Sequence, residues 1–167
     1  MIEHVLEKLF EHNNWGNFQV LQACSSLTPE QLDASPVSTT KGAIRETLLH
    51  IVDAQEGYLS DLIGEDYESQ WTAIPGFDEL IGSVTSTGEA LLALARDSSF
   101  AWVGRQLPTR DGLFRVEPWV VAVQIVNHAT KHREQVKSML SALGITPPRI
   151  DGWAYGRLNH ALIQESA

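Results

Sequence analysis

The sequence predicts an all-α chain, an antiparallel four-helix bundle, and three observations carry that prediction. Four long stretches repeat their apolar residues at helical spacing. Start and stop residues stand at their ends. Between them lie turns and loops, with no internal repeat and no low-complexity linker. In such a bundle, metal sites are commonly built from side chains on facing helices.

The first helix is expected over roughly Ile2 to Ser25, with Ile2, Val5, Leu6, Leu9, Phe18 and Leu21 on its apolar stripe. Thr28-Pro29-Glu30-Gln31 then begins a short helical turn, Thr28 as N-cap and Pro29 at the first position. The second long helix, roughly Lys41 to Ile63, follows the capping cluster Ser38-Thr39-Thr40 and places Ile44, Leu48, Ile51, Gln55, Tyr58 and Leu62 in line, with Gly64 as its stop. A third, roughly Phe77 to Arg96, carries Phe77, Leu80, Ile81, Val84, Leu91, Leu92 and Ala95. The fourth, from about Glu117 to Leu143, has Pro118 near its start and Gly144 past its end. Its stripe runs Ile125, Ala129, His132, Val136, Met139, Leu143. Before it, Asp111-Gly112 sits between two short alternating segments, the signature of a small hairpin or a long ordered loop. After it, Pro147-Pro148 opens an extended turn that leads to a last short helical piece with Asn159 and Leu162.

At 167 residues the chain is sized for one domain, taken as 1–167. Its 43% apolar and 20% charged residues are those of a soluble globular protein, and no apolar run approaches the roughly 18 to 20 residues of a membrane span. Charges are spread through the first ten residues without a signal-peptide layout, so a cytoplasmic location is expected. A net charge of −9 without a Lys/Arg cluster argues against nucleic acid as a partner. The single cysteine, Cys24, excludes an internal disulfide or a paired-thiol site and is expected to be a small buried hydrophobe.

Chemistry concentrates on the fourth helix. His128 and His132 stand four residues apart on one face, and His132 occupies a core stripe position. An unpartnered buried imidazole costs on the order of 1–3 kcal/mol, so the pair calls for hydrogen-bond partners or a metal ion. His50, beside the small residues Ala43, Thr47, Ala54 and Gly57 at the margin of the second helix's stripe, is the candidate third ligand. His4, His12 and His160 have no partner at ligand spacing. Ala129 follows His128 where a zinc protease of the His-Glu-x-x-His kind needs its glutamate, which disfavours that class.

Four pieces together resemble the DinB/YfiT-like family of metal-dependent enzymes over nearly the whole chain. They are Asn14-Trp15-Gly16-Asn17, Leu48-Leu49-His50-Ile51-Val52-Asp53, the segment Asn127-His128-Ala-Thr-Lys-His132-Arg133-Glu-Gln135, and the tail from Leu143-Gly144 through Pro147-Pro148 to Asp151. Gly16 departs from the family's more usual alanine. The resemblance implies a four-helix bundle, commonly a homodimer, with one divalent ion held by His50, His128 and His132. It also implies thiol S-transferase chemistry as one activity among relatives, many of which have no established reaction.

Three neutral imidazoles leave an ion its full charge and open positions, as in catalytic rather than closed structural sites. Nickel, zinc, iron and manganese all suit such ligands. Joined to the thiol chemistry that the resemblance implies, such a site makes metal-assisted transfer of a thiol (bacillithiol, mycothiol or glutathione in type) or of water to a small electrophile the leading expectation. Asp53, one turn beyond His50, is the candidate acceptor that orients an imidazole or the base that takes the nucleophile's proton. Arg133 and Arg149 are read as acidic-cosubstrate contacts or, more simply, surface salt bridges. Trp15 and Asn17 are read as packing and helix-to-helix hydrogen bonding or substrate contacts. The competing reading is a non-catalytic metal-binding stress or interaction protein; a bis-histidine haem bundle and a metal-free domain stand behind it.

Overall fold

A computed structural model describes residues 2–34, 41–109 and 112–163, with side chains from residue 5 onward. Six helices and one hairpin form among the described residues: α1 (Ile2–Cys24), α2 (Pro29–Leu32), α3 (Ile44–Ile63), α4 (Phe77–Arg96), β1 (Leu107–Pro108), β2 (Arg115–Val116), α5 (Pro118–Ala142) and α6 (Gly152–Leu158). The expected all-α class holds. Among the described residues no helix is long and apolar enough to cross a membrane.

Local chemistry accounts for most of the boundaries. Thr28 caps α2 reciprocally: its Oγ1 accepts from the Gln31 N–H at 3.3 Å while its own N–H donates to Gln31 Oε1 at 3.0 Å. Pro118 takes the first position of α5. Gly64, at φ 79°, closes α3 in the left-handed conformation that glycine adopts without penalty. The expected cap of α3, Ser38-Thr39-Thr40, lies outside the described residues. Three residues later than expected, α3 begins at Ile44; Ala43 has no side chain with which to cap it, and the Glu46 carboxylate accepts the Ala43 N–H at 2.8 Å instead. Of the two readings between the third and fourth long helices, the hairpin forms, pairing Leu107 with Val116 and Pro108 with Arg115. Asp111 itself lies outside the described residues. The last helix starts earlier than expected because Asp151 caps it, accepting from the Ala154 N–H at 2.9 Å; Asn159 terminates it and Leu162 follows.

The four long helices pack in a closed set of pairs: α1 against α4 and α5, and α3 against α4 and α5. Two apolar clusters fill the interior, one around Val20, Leu48, Val84, Val136 and Leu140, the other around Phe10, Leu62, Leu91, Val121 and Ile125. Cys24 is buried in the first, as expected, and burial pushes its thiol up to about 12. Along α1 and α5 the second cluster comes first; along α3 and α4 it comes last. Helices α1 and α5 therefore run one way and α3 and α4 the other. The expected antiparallel order holds for α1 with α4 and α3 with α5, but α3 and α4 are parallel, joined by the long connection 64–76.

Between the clusters lies a buried polar layer to which every long helix contributes. Arg133 Nη1 donates to Asn13 Oδ1 at 2.8 Å, Asn17 Oδ1 at 2.7 Å and the Asn13 carbonyl at 3.1 Å. The amides of Asn13 and Asn17 donate to Gln55 Oε1, and Gln55 Nε2 donates to Thr87 Oγ1 at 2.7 Å and the Val84 carbonyl at 3.2 Å. This layer corrects the expected phase of the first helix. Its buried line is Phe10, Asn13, Asn17, Val20, Leu21 and Cys24, whereas Val5, Leu9 and Phe18 are exposed. Arg133 is likewise neither a cosubstrate contact nor a surface salt bridge: it is 2% exposed, and burial draws its guanidinium down to about 10, still cationic at neutral pH. Gly16 makes room for it, since a Cβ there would stand 3.2 Å from Arg133 Cζ and Nε.

Candidate metal centre

The three histidines singled out in the sequence converge where α3 faces α5. His128 and His132, one turn apart on α5, meet His50 from α3; ring centroids are 4.4 Å apart for the α5 pair, 4.7 Å for His50 with His128 and 4.6 Å for His50 with His132. Nε2 of His128 lies 2.9 Å from Nε2 of His50. One ring nitrogen of each residue falls within 4.8 Å of the others, and no carboxylate or thiol joins the group among the described residues. Nitrogens bound to one tetrahedral ion at about 2.0–2.1 Å stand about 3.4 Å apart, so ring shifts of at most about 1.4 Å bring the set to ligand spacing. The three are positioned to hold a metal ion.

Electrostatics favour the ligand form of each ring. Burial, the charge of Lys41 and the neighbouring His132 pull His50 down to about 4, and burial with His132 and His50 does the same to His128. Burial also lowers His132, against the opposing pull of Gln135. All three are neutral at pH 7, with lone pairs available. Gln135 further fixes His132: its Oε1 can only accept, so Nδ1 of His132, 2.6 Å away, carries the proton and Nε2 keeps the lone pair. The donor set thus fits a divalent transition-metal ion on its own chemistry. Gln135 stands in the segment that carried the family resemblance, three residues after His132 and so on the same helical face.

Asp53 does not touch the histidines. Its Oδ1 accepts from the Tyr67 hydroxyl at 2.7 Å, and the same hydroxyl lies 2.7 Å from Glu56 Oε2. Glu56, which the sequence reading passed over, is a buried carboxylate that also accepts from Trp71 Nε1 at 3.0 Å, Gln70 Nε2 at 3.3 Å and the Ser83 hydroxyl. These bonds dock the connection 64–76 onto α3, and Ser83 ties α4 to the same carboxylate. Tyr58 was read as a stripe residue; its ring also stands edge-on to His128, centroids 5.6 Å apart.

The remaining candidates are structural. Asn17 belongs to the polar layer. Trp15 packs against His12 and Tyr155, and His12 Nε2 donates to the Ile150 carbonyl at 2.9 Å, which ties the chain after α5 to α1. Arg149 is exposed and lies 3.7 Å from Asp151. His160 is exposed, and the side chain of His4 lies outside the described residues. No curated protein matches the chain at a significant level of similarity. The family does: the sequence profile of the DinB family matches residues 1–165, and the chain belongs to that family.

Proposed function

We propose that this chain is a divalent-metal-dependent enzyme, built as the family's four-helix bundle, that transfers a low-molecular-weight thiol or water to a small electrophile. The observation that carries this reading is the convergence of three neutral imidazoles with no fourth protein ligand among the described residues. When bound by His50, His128 and His132, a nickel, zinc, iron or manganese ion supplies Lewis-acid chemistry that makes a thiolate or hydroxide available at neutral pH. The chain's residues do the rest. Gln135 holds His132 in its ligand tautomer, and burial keeps His50 and His128 unprotonated. Asp53, one turn from His50 with Oδ1 committed to Tyr67, is assigned to take up the nucleophile's proton on Oδ2.

A small molecule is the proposed partner, with neither nucleic acid nor membrane; the acidic balance of −9 supports the first exclusion. The working unit is proposed to be a homodimer, supported by the exposed apolar pair Trp119 and Val123, one turn apart on α5. Loading purified protein with each ion and offering bacillithiol, mycothiol, glutathione or water with a panel of electrophiles tests the activity. Turnover lost in His128→Ala and His132→Ala together with metal content is the expected result, and no turnover under any combination sinks it. One observation favours a non-catalytic metal-binding protein: the ligands come from two helices, so an ion would cross-link α3 to α5. Unfolding of the structure on chelation, with no reaction found, decides for that reading.

A further inference from the structure

The hairpin has no part in the metal centre, yet it walls a cavity that abuts it. The cavity, about 260 Å³, lies between the hairpin and the helix pair α3 and α5, lined by Leu107 and Val116 from the strands, Tyr58 and Asp61 from α3, and Val121 and Gln124 from α5. Its surface is mainly apolar. Tyr58 is shared between the two places: one side lines the cavity, and its ring edge packs on His128. Gln124, one turn before His128 on the same face of α5, donates from Nε2 to the Tyr58 hydroxyl at 3.2 Å and so holds that ring at the partition. Tyr58 follows His50 by eight positions on α3, two turns along and about 80° round the helix. The cavity therefore lies beside the histidines along the α3–α5 seam, with the Tyr58 ring between them.

We propose that this cavity is the subsite for the body of the electrophile, and that the body is neutral and apolar, a substituted ring or a branched chain of similar size. The inference rests on the enzymatic reading above and names its substrate class. Size supports it: a cavity of about 150 Å³ already takes up benzene, and this one is larger. The apolar lining supports it as well, because a charged body would lose its water there without gaining a partner. The reactive end of the substrate faces the histidines past Tyr58, while Leu107, Val116 and Val121 cover the apolar end.

Ligand binding, read by methyl and amide shifts in NMR on the protein as purified, tests this without turnover. The probes are phenol, acetophenone and cyclohexanone, with benzoate as the anionic counterpart. The neutral probes shift the signals of Leu107, Val116 and Val121, and benzoate binds more weakly. Filling the space with Val116→Trp, or separately with Val120→Trp at an exposed lining position, weakens the neutral probes at least about tenfold and leaves metal content unchanged. Equal binding in wild type and both variants, shifts confined to another place, or benzoate as the preferred ligand overturns the proposal. Metal uptake on the same samples separates the failures. A protein that takes up its ion but binds no probe sinks the subsite alone, and a protein that takes up no ion sinks the function and the subsite with it.

Discussion

Replacing Arg133 with methionine removes the centre of the buried polar layer while keeping an unbranched chain of similar reach. The guanidinium satisfies Asn13 Oδ1 and Asn17 Oδ1, on residues 0% and 1% exposed, as well as the Asn13 carbonyl and Thr130 Oγ1. Both amide groups continue to donate to Gln55, so neither can turn to find a new donor without breaking that bond. Each buried acceptor left without a partner costs about 1–3 kcal/mol, or about 2–6 kcal/mol for the two oxygens. Relief of the desolvated charge offsets part of this, and a net loss of about 3 kcal/mol is expected, a large share of the roughly 5–15 kcal/mol that holds a domain folded. Urea unfolding followed by circular dichroism measures it, with equal m-values required for the comparison. Asn17→Leu in the Arg133→Met background removes one of the stranded oxygens, so the double variant is less destabilised than the sum of the singles by at least about 1 kcal/mol. A loss below about 1 kcal/mol, or strict additivity, refutes the account of Arg133 as the hub of the layer.

Three further outcomes follow from the same geometry. His50 and His128 fall to about 4 in the folded chain against about 6.5 unfolded, so between those values the unfolded chain binds more protons, and the stability of ion-free protein falls as pH falls from about 6.5 to about 4. Thermal unfolding in chelator across that range shows the slope, His128→Gln reduces it, and a flat wild-type profile contradicts it; in ion-loaded protein the same acidification releases the metal. Gln135→Leu removes the acceptor of His132 Nδ1 and is expected to weaken metal binding about 10- to 100-fold in calorimetric titration with the fold intact; unchanged affinity discards the orienting role. Glu56→Gln turns one acceptor oxygen into a donor, which then faces either the Tyr67 hydroxyl and the Trp71 ring N–H or the Ser83 hydroxyl and the Gln70 amide. A destabilisation of about 1–3 kcal/mol is expected, with faster amide exchange confined to the connection before α4, and unchanged exchange there counts against the docking role.

How far the sequence carries depends on which force sets each feature. The fourth long helix was legible almost to the residue, because Ile125, Ala129, His132, Val136 and Met139 are all buried and the apolar period reports the inward face directly. The spacing of His128 and His132 on one face was legible for the same reason. Their meeting with His50 was not, since the register of α3 against α5 is a tertiary property; the small residues beside His50 made it a candidate and the resemblance recruited it as the third ligand. The phase of α1 failed where the interior is polar: Asn13 and Asn17 take core positions that an apolar count assigns to solvent, and Val5, Leu9 and Phe18 drew the stripe elsewhere. Helix direction failed because a connection such as 64–76 carries no mark of whether the next helix returns or continues.

The cause of the first failure, the buried polar layer, also bears on the site. Arg133 directly follows His132, so their side chains leave α5 about 100° apart. With Arg133 clamped to Asn13 and Asn17 on α1, the rotation of α5 about its axis is set, and the adjoining face that bears His128 and His132 is turned toward His50 on α3. An apolar contact in place of Arg133 slides and rotates at little cost, whereas three hydrogen bonds from one nitrogen to α1 fix an angle. The polar layer that hid the phase of α1 from an apolar reading is thus what aims the α5 histidines, and Arg133→Met is expected to weaken metal binding as well as the fold, although Arg133 contacts none of the three.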